Sequence, residues 1–210
     1  MMQQPYEFSP IGPELQELYD DIERKTIHYR VSSEYETGLA QRSLLEDDSD
    51  WKTIEPETLH LSEEICNRFK NWCDAYRKMN PSYDRGAFDK EGLELAKALK
   101  QAKIYATIVD YQYPQLIQTI ISYQVRADYT VSLWNDTWSA IDLEWIEEDL
   151  GGYGIEDRDT LEERFARWED WYYSQLTQDI DRVAFDQEGE ALADELRKRL
   201  PDYCAVFYIP

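Results

Sequence analysis

Basic residues are what this chain has too few of. Its 210 residues carry 22 Lys and Arg against 44 Asp and Glu, a formal charge of −22. Such a field repels nucleic acid and anionic membrane surfaces and speeds encounter with basic proteins, so a basic protein is the partner to expect, and neither nucleic acid nor membrane. Mutual repulsion also favours a monomer. Cysteine is scarce: Cys66, Cys73 and Cys204 form no Cys-x-x-Cys, and Cys66 and Cys73 lie seven apart on one helix face, beyond disulfide reach. They read as buried thiols in a reducing cytoplasm. His28 and His60 are the only imidazoles, with no His-Glu-x-x-His and no Cys/His set at metal spacing, and both read as surface or satisfied polar residues. A Gly-x-Ser-x-Gly elbow is missing, and Gly151-Gly152-Tyr153-Gly154 lacks the Lys-Ser/Thr that follows a phosphate loop. No run of 18 apolar residues spans a membrane, and Met1-Met2-Gln3-Gln4-Pro5 lacks the features of a secretory signal. No catalytic residue, metal site or cofactor is therefore assigned.

What the chain does have is itself, twice. Phe88 to Tyr111 aligns without a gap to Phe185 to Tyr208, 97 positions later, with nine of 24 residues identical. Phe69, Trp72 and Tyr76 match Phe165, Trp168 and Tyr172 at an offset of 96. Trp51 matches Trp145 at 94, as does the run from Ile27 to Leu39 against Ile121 to Leu133. The pattern predicts a tandem pair: a lead-in and helix over 1–24, a first unit over 25–112 and a second over 113–210.

Each unit reads as strands, then two helices, then a strand. Ile27, Tyr29 and Val31 alternate with His28, Arg30 and Ser32, a strand or hairpin with one wet face, and Ile121 to Leu133 repeats the alternation. Ser62 with Glu63 and Glu64 opens a helix carrying Phe69 and Trp72. Asp89 and Asp186 are the expected N-caps of the next helix, whose Leu95/Leu99 spacing marks one buried face. The β-branched and aromatic segments ending at Tyr111 and Tyr208 close the units. Trp51 is expected to anchor its loop in the core. The short link Gln112-Tyr113-Pro114-Gln115 predicts an antiparallel hairpin that fuses the units by sheet pairing. The fold class is α+β, a largely antiparallel sheet with helices packed on one face.

A function that is not doubled belongs where the copies differ. The second copy has Leu133-Trp134-Asn135-Asp136-Thr137-Trp138 where the first has Leu39-Ala40-Gln41-Arg42-Ser43-Leu44, and it adds Trp171 and Tyr173. Between Asp142 and Glu163 stand ten acids and a single base, Arg158, around the glycine loop. Carboxylates steer and pair Lys and Arg, while a Trp or Tyr provides a desolvated anchor. The candidate partner-binding residues are Trp134, Asp136, Trp138, Glu147, Glu148, Asp149, Tyr153, Glu156, Asp157 and Asp159.

Leu133-Trp134 ending a strand, the Ser62-x-Glu64 helix start, the helix tryptophans Trp72 and Trp168, Phe-Asp-x-Glu-Gly-x-x-Leu-Ala-x-x-Leu from Phe88 and Phe185, and a closing Val-x-Tyr make up an ordered set. In these motifs the chain resembles a widespread, mostly uncharacterised bacterial family associated with immunity-type proteins of toxin systems. The first copy departs from it by lacking Leu-Trp. The resemblance implies a non-enzymatic acidic inhibitor that blocks a basic partner such as a nuclease toxin domain. The alternatives are a carboxylate-dependent enzyme, drawing on the acids of 142–163, and a structural assembly module that joins copies through a sheet edge.

Overall fold

A computed structural model describes residues 26–44, 46, 50–78, 84–103, 107–113, 116–128, 131–135, 139–174 and 181–210. The lead-in and helix expected over 1–24 lie outside these residues. Two sheets form. The first has the order β3-β2-β1-β4-β5, from β1 (Ile27–Ser32), β2 (Leu39–Ser43), β3 (Lys52–Thr53), β4 (Thr107–Tyr113) and β5 (Leu116–Thr119). The second has the order β8-β7-β6-β9, from β6 (Ile121–Asp128), β7 (Val131–Asn135), β8 (Ala140–Ile141) and β9 (Cys204–Tyr208). Helices α1 (Glu63–Arg77) and α2 (Arg85–Ala102) lie between β3 and β4; α3 (Leu143–Asp149), α4 (Arg158–Ser174) and α5 (Arg182–Arg199) lie between β8 and β9. The protein is α+β with helices packed on its sheets. Pairing is antiparallel throughout, except that β1 with β4 and β6 with β9 run parallel.

The halves share order and register. Tyr29 sits opposite Val109, and Tyr123 opposite Val206, the pairs that the sequence offsets bring together. The helix starts differ from expectation. Asp84 and Asp181, not Asp89 and Asp186, are the N-caps, accepting from the backbone N–H of Ala87 and Ala184. The repeated Asp84-Arg85-x-Ala87 and Asp181-Arg182-x-Ala184 carried that signal. The motif acids sit inside the helices and tie them to the neighbouring helix or strand. Glu91 accepts from Arg68 at 2.8 Å, Glu188 from Arg164 at 2.8 Å, and Asp186 from the Tyr208 hydroxyl at 2.7 Å.

The rest of the motif builds a core joint, made the same way twice. The Trp72 indole N–H donates to the Phe88 carbonyl at 2.9 Å, with the rings stacked 4.9 Å apart. Trp168 donates to Phe185 at 3.1 Å, with the rings 4.8 Å apart. Gly92 and Gly189 are the floors of these joints. A Cβ on either would collide with the closing tyrosine (Tyr111 or Tyr208) and stand 2.6 Å from a tryptophan Cζ2. Glycine is required by close approach, since Ala would otherwise be the better helix former.

The expected hairpin across Pro114 forms, with Tyr113 opposite Leu116. It does not fuse the units, however. Strand β5 completes the first sheet, and after Ile120 the chain enters the separate second sheet. The halves join instead by face packing. Ala205 and Phe207 of β9 enter the first core with Leu95 and Leu99 of α2, while Cys204 and Val206 enter the second core with Leu192 and Leu196 of α5. A strand buried on both faces reads as the continuous apolar run Cys204-Ala205-Val206-Phe207.

Candidate functional site

The acidic segment folds as a short helix, a loop and the start of a long helix. Asp142 caps α3 by accepting from the Trp145 N–H at 2.7 Å, and Leu143 and Ile146 anchor that helix in the second core. The helix ends at Gly151 (φ +71°) and Gly152 (φ +85°), whose N–H groups return to the Glu148 and Glu147 carbonyls. Left-handed backbone at two successive positions explains the glycine pair. Glu147 then straps the loop: its carboxylate accepts from the Ile155 N–H at 2.6 Å and from Arg158 at 2.7 Å. The Ile155 hydrogen bond, more than the Arg158 charge, holds the Glu147 carboxyl below its ordinary value. Asp149 is also structural, accepting from the buried Tyr123 hydroxyl at 2.9 Å. Burial first, and the Asp149 carboxylate second, push the Tyr123 phenol up.

Arg158, the single base, is held by Glu147 and by Glu162 at 3.4 Å. Glu144, Glu148, Glu156, Asp157, Asp159 and Glu163 are exposed and form no ion pair among the described residues. Two aromatics stand exposed among them, Tyr153 at 41% and Trp145 at 37%. Asp157 takes a left-handed φ of +53°, and its carbonyl accepts from Leu161 in the first turn of α4.

The sequence-derived site is thus brought together only in part. Glu147, Glu148, Asp149, Tyr153, Glu156, Asp157 and Asp159 form one rim. Trp134 alternates with the core residue Leu133 and so points to the opposite face of the second sheet; its indole N–H donates to the Arg126 carbonyl at 3.3 Å. Asp136 and Trp138 lie outside the described residues. Trp171 belongs to the core, its ring edge-on to Phe185 at 5.5 Å. Trp145, read only as the partner of Trp51, is the exposed tryptophan of the rim. The repeat concealed it, because a match between copies suggests packing.

Trp51 does not anchor in the core. It lies on the outer face of the first sheet, where the Arg30 guanidinium stacks 4.0 Å from its ring and His28 meets it edge-on at 4.9 Å. His28 is buried, as a satisfied polar residue should be. Its Nδ1 lies 3.2 Å from Arg42 Nη2, a donor only, so Nδ1 is the acceptor and Nε2 carries the proton given to Asp110 at 2.7 Å. Asp110 also accepts from the Thr119 hydroxyl at 2.8 Å. Burial would raise the Asp110 carboxyl, but the His28 and Thr119 hydrogen bonds and the Arg30 charge outweigh it and hold it low.

No family model matches this chain, and no curated protein or solved structure matches it either. Among the described residues, no group of three His, Cys, Asp or Glu side chains is placed to hold a metal ion, and no helix is long and apolar enough to cross a membrane. Cys66, Cys73 and Cys204 are free thiols, all buried.

Proposed function

We propose that the chain is a non-enzymatic binding protein, of the immunity type found in bacterial toxin systems, that blocks a basic protein partner such as a nuclease toxin domain. The binding face is the rim formed by α3, the glycine loop and the start of α4. The observation that carries this reading is the pair of exposed aromatics, Trp145 and Tyr153, set among six exposed carboxylates that form no ion pair among the described residues. The acids draw a cationic cleft in, and the two rings are desolvated against it. Glu147 and Asp149 act indirectly by holding the loop and helix in shape. Three free buried thiols suit a reducing cytoplasm, and the charge of −22 suits a monomer.

The test uses the protein encoded beside this one, purified with and without the chain. A stable complex is expected, its association slowing as salt rises from about 50 to about 500 mM. The double reversal Glu148→Lys with Glu156→Lys should slow association by at least about tenfold, and Trp145→Ala should speed dissociation. Full binding by all of these variants would remove the rim from consideration.

A further inference from the structure

We propose that the outer edge of β9 is a strand-docking edge, latched by Arg197 and filled by an extended, basic segment of the partner. In the first sheet the equivalent strand, β4, has a neighbour on that side: the Ile120 N–H donates to the Val109 carbonyl at 2.8 Å where the chain leaves β5. Val206 occupies the same register position in the second sheet, opposite Tyr123 as Val109 is opposite Tyr29. Its carbonyl accepts from Arg197 Nε, also at 2.8 Å. A guanidinium thus stands where a strand's backbone N–H stands in the other half.

The edge faces outward. Ile209 N–H bonds the Val125 carbonyl, which directs the polar groups of alternate residues 205, 207 and 209 toward β6 and those of Cys204, Val206 and Tyr208 away from it. Among the described residues the sheet order ends at β9. A groove of about 400 Å³ runs beside it, between Lys97, Ala98 and Gln101 of α2 and Arg197 of α5. A sheet edge blunted by a long cationic side chain is a familiar guard against unwanted pairing.

The chemistry of the latch names the occupant. Arg197 also pairs Glu190, at 3.2 Å, and Asp194. A strand that takes the Val206 carbonyl draws Arg197 Nε off it and brings its own side chains beside these carboxylates. A Lys or Arg on the incoming strand pairs with them, so a basic extended segment is favoured over an acidic one. A second copy of the chain brings another charge of −22 and is disfavoured. The inference rests on the proposed function only for the occupant being a segment of a protein partner.

The probe is a synthetic peptide, acetyl-Lys-Val-Lys-Val-Lys-Thr-amide, compared with its Glu-for-Lys counterpart and with a version N-methylated at alternate residues. Fluorescence anisotropy and amide exchange on the full chain should show the basic peptide binding and protecting the Val206 and Tyr208 N–H groups. N-methylation should abolish binding. Arg197→Ala should tighten binding about tenfold by opening the edge, and Glu190→Gln with Asp194→Asn should weaken it about tenfold. Equal binding of the methylated or acidic peptide, protection away from β9, or unchanged affinity in both sets of variants would overturn the proposal. So would dimerisation of Arg197→Ala alone in light scattering, which would make a second copy the occupant. Glu148→Lys with Glu156→Lys should leave peptide protection at β9 intact, so failure of the rim and failure of the edge are read separately.

Discussion

Gly189 lies directly beneath the rings of Tyr208 and Trp168, and a Cβ there would stand 2.6 Å from Trp168 Cζ2. Alanine gains about 1 kcal/mol over glycine in a helix interior, but two packed rings give way only at the cost of shifting the helix. Gly189→Ala and Gly92→Ala should each lower stability by about 1–3 kcal/mol in urea titration. An increase in stability at either position would mean that the rings move freely.

Replacing the indole by a phenyl ring removes the repeated hydrogen bond together with part of the packed volume. Trp168→Phe should cost about 2–3 kcal/mol, combining the lost bond to the Phe185 carbonyl with the volume of the missing ring atoms. Trp72→Phe should match it in thermal or urea unfolding, since the Phe88 bond has the same geometry.

Acid should act on the outer face of the first sheet. The Asp110 carboxyl is held low in the folded state, so its contribution is complete above its unfolded value near about 3.9 and declines as pH falls through the folded value. Asp110→Asn should cost roughly 2–4 kcal/mol at pH 7 by leaving Arg30 without its carboxylate, and should flatten this part of the acid limb. Urea unfolding as a function of pH measures both effects.

The buried thiols should be inert. Burial pushes Cys204 up to about 12 and Cys73 up to about 11, so little thiolate exists in the folded protein at pH 8. A thiol reagent should label them only as fast as the chain opens, and fully in denaturant. Because the folded values are raised, their contribution to stability is intact below about 8.5 and is lost as pH climbs toward the folded values.

Cutting the strap of the rim loop should loosen it without unfolding the helix. Glu147→Ala removes the acceptor for Ile155 N–H and the ion pair to Arg158. Amide exchange at Ile155 should accelerate while Ile146, in the core, keeps its protection. Slow exchange at Ile155 in the variant would show that the glycine turn alone shapes the loop.

Much of the architecture was legible because it is repetitive and apolar. Periodicity marked the strands beginning at Ile27 and Ile121, and the offsets of 96 and 97 residues marked the Trp, and the Phe, Gly and Tyr, of each core joint. The caps were misplaced because Asp89 and Asp84 are equally good acceptors in isolation, and only the helix register separates them. The carboxylates of the candidate rim were legible as the acidic run 142–163. Which tryptophan joins it was not, since the face a side chain points to depends on its sheet neighbours.

The sequence by itself determined two α+β units, their shared register and the sign of the surface field, because hydrophobic period and charge are local properties of the chain. Only the tertiary structure decided how the units meet. Asp110 and Phe207 hold the same place in their repeats, yet one sits in a polar cluster on an outer face and the other enters the partner unit's core. A strand's second face becomes polar or apolar according to what lies across it, and what lies across β9 is a helix more than a hundred residues away in the chain.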